Sequence, residues 1–291
     1  MQRYLLATGT ALLLLPLALY GTLHFLRPPQ TNKEQILFRG ITYQRYARST
    51  PRPIMIHVVS VDLTAPGVKA LVTPPMASKR DRTSARTTSE FLREFKLQLA
   101  VNASYFNAFD EKTPWNYYPH SGDRSYPIGE AISNGDRYAK TKQGWRVLCF
   151  LQNRAQILES GKCPEGTTQG VTGSEIFVEH GKPKAQIFRN PRDKPYPRMA
   201  VGIDKEGKKL WLIAVDGKQP IYSEGVKIPE LANIVMDLGV DTALNLDGGG
   251  STTVVMATNN GAKVLNAPIH TKIPMRERPV ANHLGFYAEP F

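Results

Sequence analysis

Near its C-terminus the chain reads ALNLDGGGSTTVVMA, from Ala243 to Ala257. An apolar, strand-like run stops at an acid, passes through three glycines and resumes at once. Glycine inside a strand loses backbone entropy and packs nothing. Three in a row make sense only where the main chain turns through φ > 0 or where something approaches it closely. Side chains alternate along a strand, so Asn245 and Asp247 face the same way. The N–H groups of Gly248, Gly249 and Gly250, followed by the hydroxyls of Ser251 and Thr252, would form an anion nest beside the acid. Such a cradle suits a sugar or a phosphate, with Asp247 orienting a hydroxyl or acting on an anomeric carbon. The plainer role is a tight turn in which Asp247 caps its own backbone.

Other chemistries lack their signals. The sequence has no phosphate-binding Walker loop, no G-x-S-x-G elbow, no H-E-x-x-H and no G-x-G-x-x-G after a strand. Its six histidines are scattered, and no Cys/His spacing suits structural zinc.

Further segments accompany the glycine run in a fixed order: VNASYF (Val101–Phe106), IGEAISNG (Ile128–Gly135), PRMAVGID with LIAVDG, and RPVANHLGF (Arg278–Phe286). Together with NLDGGGSTT they resemble the phosphodiester glycosidase family over residues 95–287, in the form of an uncovering-enzyme-like domain from a bacterial-type exported relative. The resemblance implies hydrolysis of a sugar-1-phosphodiester between the anomeric carbon and the phosphate oxygen. A phosphate leaving group is already a weak base. A carboxylate facing an oxocarbenium-like centre and cations on the phosphate are then the main requirements.

Asp247 and Asp216, each at a strand end before glycine, are the expected carboxylate pair. Asp216-Gly217 also suits a type I′ hairpin turn. Arg198 and Arg278 are the phosphate candidates, since a guanidinium fork matches two phosphate oxygens; either also suits a structural ion pair. Asn102, Asn245 and Asn282 are candidates for sugar hydroxyls or for holding Asp247, Tyr105 for stacking on a pyranose, and Glu130 is a lesser candidate. No cofactor is expected. One alternative is a phosphodiesterase cutting the P–O bond with a divalent cation on Asp216, Asn245 and Asp247. Another is a non-catalytic glycan-binding module that grips its ligand with the aromatics of residues 105–126.

The elements that carry these residues read as mostly β. IMIHVVSVDL and GVKALVTP are two successive strands joined at Ala65-Pro66-Gly67. TTSEFLREFK is a short helix whose Thr87 and Glu90 have capping-box spacing. Hairpins are expected about Gln152–Arg154 and at Asp204–Gly207. IPELANIVMDLG is a helix with Pro229 in its first turn and Gly239 as its stop. With too few helices for β-α-β winding, the expected class is α+β: one domain with a large mixed, mostly antiparallel sheet.

The 291 residues carry 41% hydrophobic and 21% charged side chains, ordinary globular material. The net charge of +12 favours anionic partners. Taken with the motifs, a glycosyl phosphodiester or polysaccharide is the expected substrate, and no nucleic acid is expected. An uncharged run from Leu5 to Leu26 is about long enough to cross a bilayer. Residues 1–30 are therefore expected to be a signal anchor (or a cleaved signal peptide, which would make the protein secreted). Residues 31–53 are a polar tether with the first strand, and 54–291 are the glycosidase-like domain, outside the cytoplasm. In that setting Cys149 and Cys163 are expected to form a disulfide, two buried thiols being the alternative.

Overall fold

The structure, a computed structural model, describes residues 21–77 and 82–290. Most of the expected anchor lies outside them, and no helix among the described residues is long and apolar enough to cross a membrane.

The fold is built on an eight-stranded sheet. Its strands follow the order 33–38, 41–48, 54–62, 209–215, 198–203, 242–245, 175–179 and 182–183. Each neighbouring pair is antiparallel, so the expected mixed sheet is instead antiparallel. Hairpins and returning strands supply most pairs, and one helix, Ile228–Asp237, carries the chain from strand 209–215 past 198–203 to strand 242–245, which runs the same way. Two five-stranded sheets pack on one face of the large one. Alternation sends Met199, Val201, Leu244 and Leu246 to that face, where they meet Val101, Leu148 and Phe286 in the largest core. The opposite face carries Ala200, Ile213 and Ala243 and is covered by the helix Ile228–Asp237 through Leu231 and Val235. Pro229 lies in that helix's first turn, and Gly239 beyond its end has φ +78°.

The helix Thr88–Glu94 carries the expected capping box: the Thr87 side chain accepts from the Glu90 N–H, and the Glu90 side chain accepts from the Thr87 N–H. It covers the outer face of the sheet that contains strand Leu99–Asn102. The hairpins at Gln152 and Asp204–Gly207 form as expected. Cys149 and Cys163 are bonded.

Strands Ile54–Asp62 and Lys69–Val72 follow one another as expected and join different sheets, the second pairing with His283–Tyr287. The segment expected as a polar tether with the first strand, residues 31–53, carries two strands, and its start is held against the body. Gln30 Nε2 donates to the carbonyls of Ile221 and Tyr222, both at 3.1 Å, and Arg45 Nε donates to the carbonyl of Thr31 at 2.8 Å. Strands 33–38 and 41–48 then extend the large sheet.

Candidate active site

Strand Thr242–Asn245 runs in the large sheet between strands 198–203 and 175–179. It ends at the sheet's lip, where Leu246 and Asp247 still donate backbone bonds to the carbonyls of Met199 (2.9 Å) and Ala103 (3.0 Å). The chain then enters a short 3-10 turn over Gly249–Ser251.

Each of the three glycines has its own steric reason. A Cβ on Gly248 would lie 2.6 Å from the carbonyl oxygen of Pro197. Gly249 has φ +63°, and a Cβ there would lie 2.8 Å from the Tyr196 ring. On Gly250 it would lie 2.6 Å from Arg278 Nη2. What approaches this main chain closely is the protein itself. The turn lets Pro197, Tyr196 and Arg278 close around Asp247.

Of the three glycine amides expected to form an anion nest, two are taken by the protein. The amide of Gly249 donates to Pro197, those of Ser251 and Thr252 to Gly248 and Gly249, and that of Thr253 to Asn102 Oδ1. The Gly248 amide serves the Asp247 carboxylate.

Asp247 is half-buried on the wall of a cleft of about 380 Å³. Burial raises its carboxyl to about 6, against the opposing pulls of the Ser251 hydroxyl, Arg278 and the Gly248 N–H. It is therefore poised to change protonation near neutral pH. Tyr105 stands in the same cleft. Burial, and after it the Asp247 charge, raises its phenol to about 12, so it keeps its proton. Asn245 Nδ2 donates to Tyr105 Oη (3.0 Å) and to Ser174 Oγ (2.9 Å). That leaves Asn245 Oδ1 buried with no partner among the described residues, an acceptor suited to a ligand hydroxyl.

Both arginines line the cleft. Arg198 Nη2 pairs with Asp193 Oδ1 at 2.6 Å, and its Nε donates to the carbonyl of Val226 at 3.1 Å. Arg278 Nη2 pairs with Glu111, its Nη1 donates to Ser251 Oγ at 3.2 Å, and its Nε donates to His270 Nδ1 at 3.2 Å. Burial, followed by the Arg278 charge, lowers His270 to about 4, so the ring is neutral and can accept that bond.

Other sequence candidates stand elsewhere. Asp216 has no exposed side-chain surface: His57 Nε2 donates to it at 2.9 Å, as do Asn266 Nδ2 and the Ala267 N–H, both at 3.0 Å. With its oxygens taken, it is not the cleft's second carboxylate, nor does it join Asn245 and Asp247 as a cation ligand. No hairpin turn forms at Asp216-Gly217, since strand 209–215 pairs with 54–62 and 198–203.

Glu130 is buried against Arg137 Nη1 (2.8 Å) and the Cys163 N–H (2.6 Å), which ties down the disulfide loop. Asn282 is buried and donates to Tyr138 Oη at 2.9 Å. Asn102 braces the glycine turn without lining the cleft. Thr252 and Ser251 are buried behind Asp247, Ser251 within reach of it.

Sequence reading passed over Glu111, Tyr196 and Lys218, which also line the cleft. Lys218 follows the Asp216-Gly217 pair directly, and that was the one available signal. Phe109 of the aromatic segment lies 4.6 Å beneath the Arg278 guanidinium, whereas Trp115 stands 82% exposed to solvent.

A phosphodiester glycosidase family model matches residues 95–287. The chain belongs to the phosphodiester glycosidase family. The match begins at the helix-backed sheet, includes Asn102, Asp247 and Arg278, and ends in strand His283–Tyr287.

Solved structures share the fold. A hypothetical protein from Synechocystis aligns with a TM-score of 0.65 at 14% identity over 90% of this chain, which spans 64% of that protein's length. The zebrafish N-acetylglucosamine-1-phosphodiester alpha-N-acetylglucosaminidase catalytic domain, auto-inhibited by its pro-peptide, aligns at 0.58 and 21% identity over 90% of this chain and 89% of that one. A Burkholderia pseudomallei K96243 protein described as exported aligns at 0.56 and 15% identity over 84% and 76%. No curated protein matches this chain in sequence.

Proposed function

We propose that this phosphodiester glycosidase family member hydrolyses the glycosyl C–O bond of sugar-1-phosphodiesters in envelope or extracellular polysaccharide. It would work outside the cytoplasm, tethered to a membrane by its N-terminal apolar run. The observation that carries the reading is the placement of Asp247: half-buried, raised to about 6, and sharing one cleft with Arg198 and Arg278. The name of the zebrafish neighbour supports a sugar-1-phosphodiester, and the exported Burkholderia neighbour supports the location.

In this reading the sugar's anomeric carbon lies against the Asp247 carboxylate, which stabilises positive charge as the bond to the phosphate oxygen breaks. The phosphate monoester departs without needing a strong acid. Tyr105 Oη and Asn245 Oδ1 meet sugar hydroxyls, one donating and one accepting. The pairing of Arg278 with Ser251 and Glu111 keeps the carboxyl oriented.

Release of free sugar from a panel of sugar-1-phosphodiesters tests the assignment. Asp247→Asn is expected to keep the fold and abolish release; retained release removes Asp247 from the chemistry. Hydrolysis in ¹⁸O water is expected to label the sugar. Label in the phosphate, with loss of activity in chelator, would instead establish P–O cleavage with a cation. Separation of membrane from soluble fractions tests the tether.

A further inference from the structure

An anionic diester needs a cation whose charge is not already neutralised, and the cleft offers three cations in unequal states. Arg198 is paired with Asp193, and Arg278 with Glu111. Lys218 has no carboxylate within ion-pair reach among the described residues; its Nζ lies 4.3 Å from the centre of the Tyr196 ring. An ammonium on an aromatic face keeps most of its charge available, because the ring quadrupole does not cancel it.

The placement of Lys218 is itself built. Its backbone sits at φ +56°, an unfavourable region for a residue with a Cβ, and it persists because both neighbours are fixed. Gly217 is wedged against Pro197, where a Cβ would lie 2.6 Å from the backbone nitrogen. Gln219 donates through Nε2 to the carbonyl of Ala267 at 2.7 Å and through its N–H to Ser223 at 3.0 Å. One step back, Asp216 is locked by His57, Asn266 and Ala267. The strand-end Asp-Gly pair thus serves as the rigid base from which the lysine is aimed. Tyr196, beneath the ammonium, also touches Gly249, two residues from Asp247. The ring therefore links the free cation to the catalytic turn.

We propose that Lys218 is the residue that recognises the phosphate of the substrate, while the two arginines shape the cleft through their carboxylate partners. This rests on the reading of the site as a sugar-1-phosphodiester hydrolase. It makes Lys218 a specificity determinant, since a neutral glycoside gives it nothing to bind.

The test compares Lys218→Met and Lys218→Arg with the wild-type full chain on UDP-sugars, which carry a phosphate on the anomeric oxygen, and on uncharged nitrophenyl glycosides of the same sugars. Lys218→Met is expected to raise KM for the UDP-sugar by about tenfold to a hundredfold, the range for a lost hydrogen bond to a charged group. Its kcat should stay within about threefold and the uncharged glycosides should be unaffected, with Lys218→Arg restoring most of the loss. An unchanged KM, or an equal loss on charged and uncharged substrates, overturns the proposal. Titration with inorganic phosphate separates this outcome from the fate of the hydrolase reading. Saturable binding by the wild type that is lost in Lys218→Met upholds Lys218 even if no sugar is released, and identical curves overturn it even if sugar is.

Discussion

Asn102 holds both ends of the glycine turn: its Nδ2 donates to the carbonyl of Asp247 at 2.6 Å, and its Oδ1 accepts the Thr253 N–H at 3.0 Å. One buried side chain thus fixes the entry and the exit of the loop that carries the candidate catalytic acid. Asn102→Asp preserves the acceptor and replaces the donor with an oxygen facing an oxygen. Leaving that carbonyl unsatisfied is expected to cost about 1–3 kcal/mol of stability and to lower kcat more than it raises KM, because the acid is displaced rather than the substrate. Urea unfolding and steady-state kinetics check the pair of effects. Full kcat in Asn102→Asp would show that the turn holds its shape without this brace.

The raised carboxyl of Asp247 makes two pH predictions. If it works as the carboxylate, kcat/KM rises with pH through about 6. The Ser251 hydroxyl pulls this pKa down, so Ser251→Ala is expected to move the rising limb to higher pH. A limb that stays in place in Ser251→Ala would assign it to another group. For stability, the folded value lies above the ordinary 3.8. The favourable contribution of this proton is complete below about 3.8 and lost as pH rises through about 6. Asp247→Asn, which cannot ionise, is expected to lack that loss when unfolding midpoints are compared across the window.

What could be read from sequence was local. The Thr87–Glu90 capping box, the Pro229 start and Gly239 stop, and the hairpins at Gln152 and Asp204–Gly207 each depend on residues within about one turn of chain, and each is present. The glycine run marked the right loop for a partly wrong reason, because two of its three amides are taken by protein groups. Strand Lys69–Val72 was legible as a strand but its partner was not, being more than 200 residues away, with Ala70 opposite Phe286. Asp216 was the sharpest miss. A strand-end acid faces either solvent or a buried partner, and His57, which decides the matter, is 159 residues distant. Glu111 and Lys218 lie in segments without periodicity, so only the folded arrangement puts them at the cleft.

Gly250 offers a steric test of Arg278. A methyl group there would fall 2.6 Å from Nη2 and 2.8 Å from Cζ, so Gly250→Ala pushes the guanidinium away from Ser251 and from Asp247. Losing a charge-assisted contact of this kind is expected to lower kcat/KM by about tenfold to a hundredfold. The rising limb of the pH profile should also move upward, since the Arg278 charge holds the Asp247 pKa down. Arg278→Gln should move the limb the same way. A Gly250→Ala enzyme with an unshifted limb would show that Arg278 does not set the ionisation of Asp247.

Asp216 and Asp247 stand before glycine after two strands of the large sheet that have strand 198–203 between them, yet their substitution by asparagine is expected to have opposite consequences. Asp216→Asn turns an acceptor of three hydrogen bonds into a group whose NH₂ faces other donors, from His57, Asn266 and Ala267. Breaking a buried partnered carboxylate in this way typically costs about 3–5 kcal/mol, so the variant should unfold at much lower urea while any folded fraction retains measurable turnover. Asp247→Asn should unfold at neutral pH no earlier than the wild type, whose ionised carboxyl has by then lost its favourable contribution, and should release no sugar. Measuring both quantities in both variants separates the two carboxylates. A stable, inactive Asp216→Asn protein would return Asp216 to the chemistry and remove its assignment as the buried anchor of the Lys218 loop.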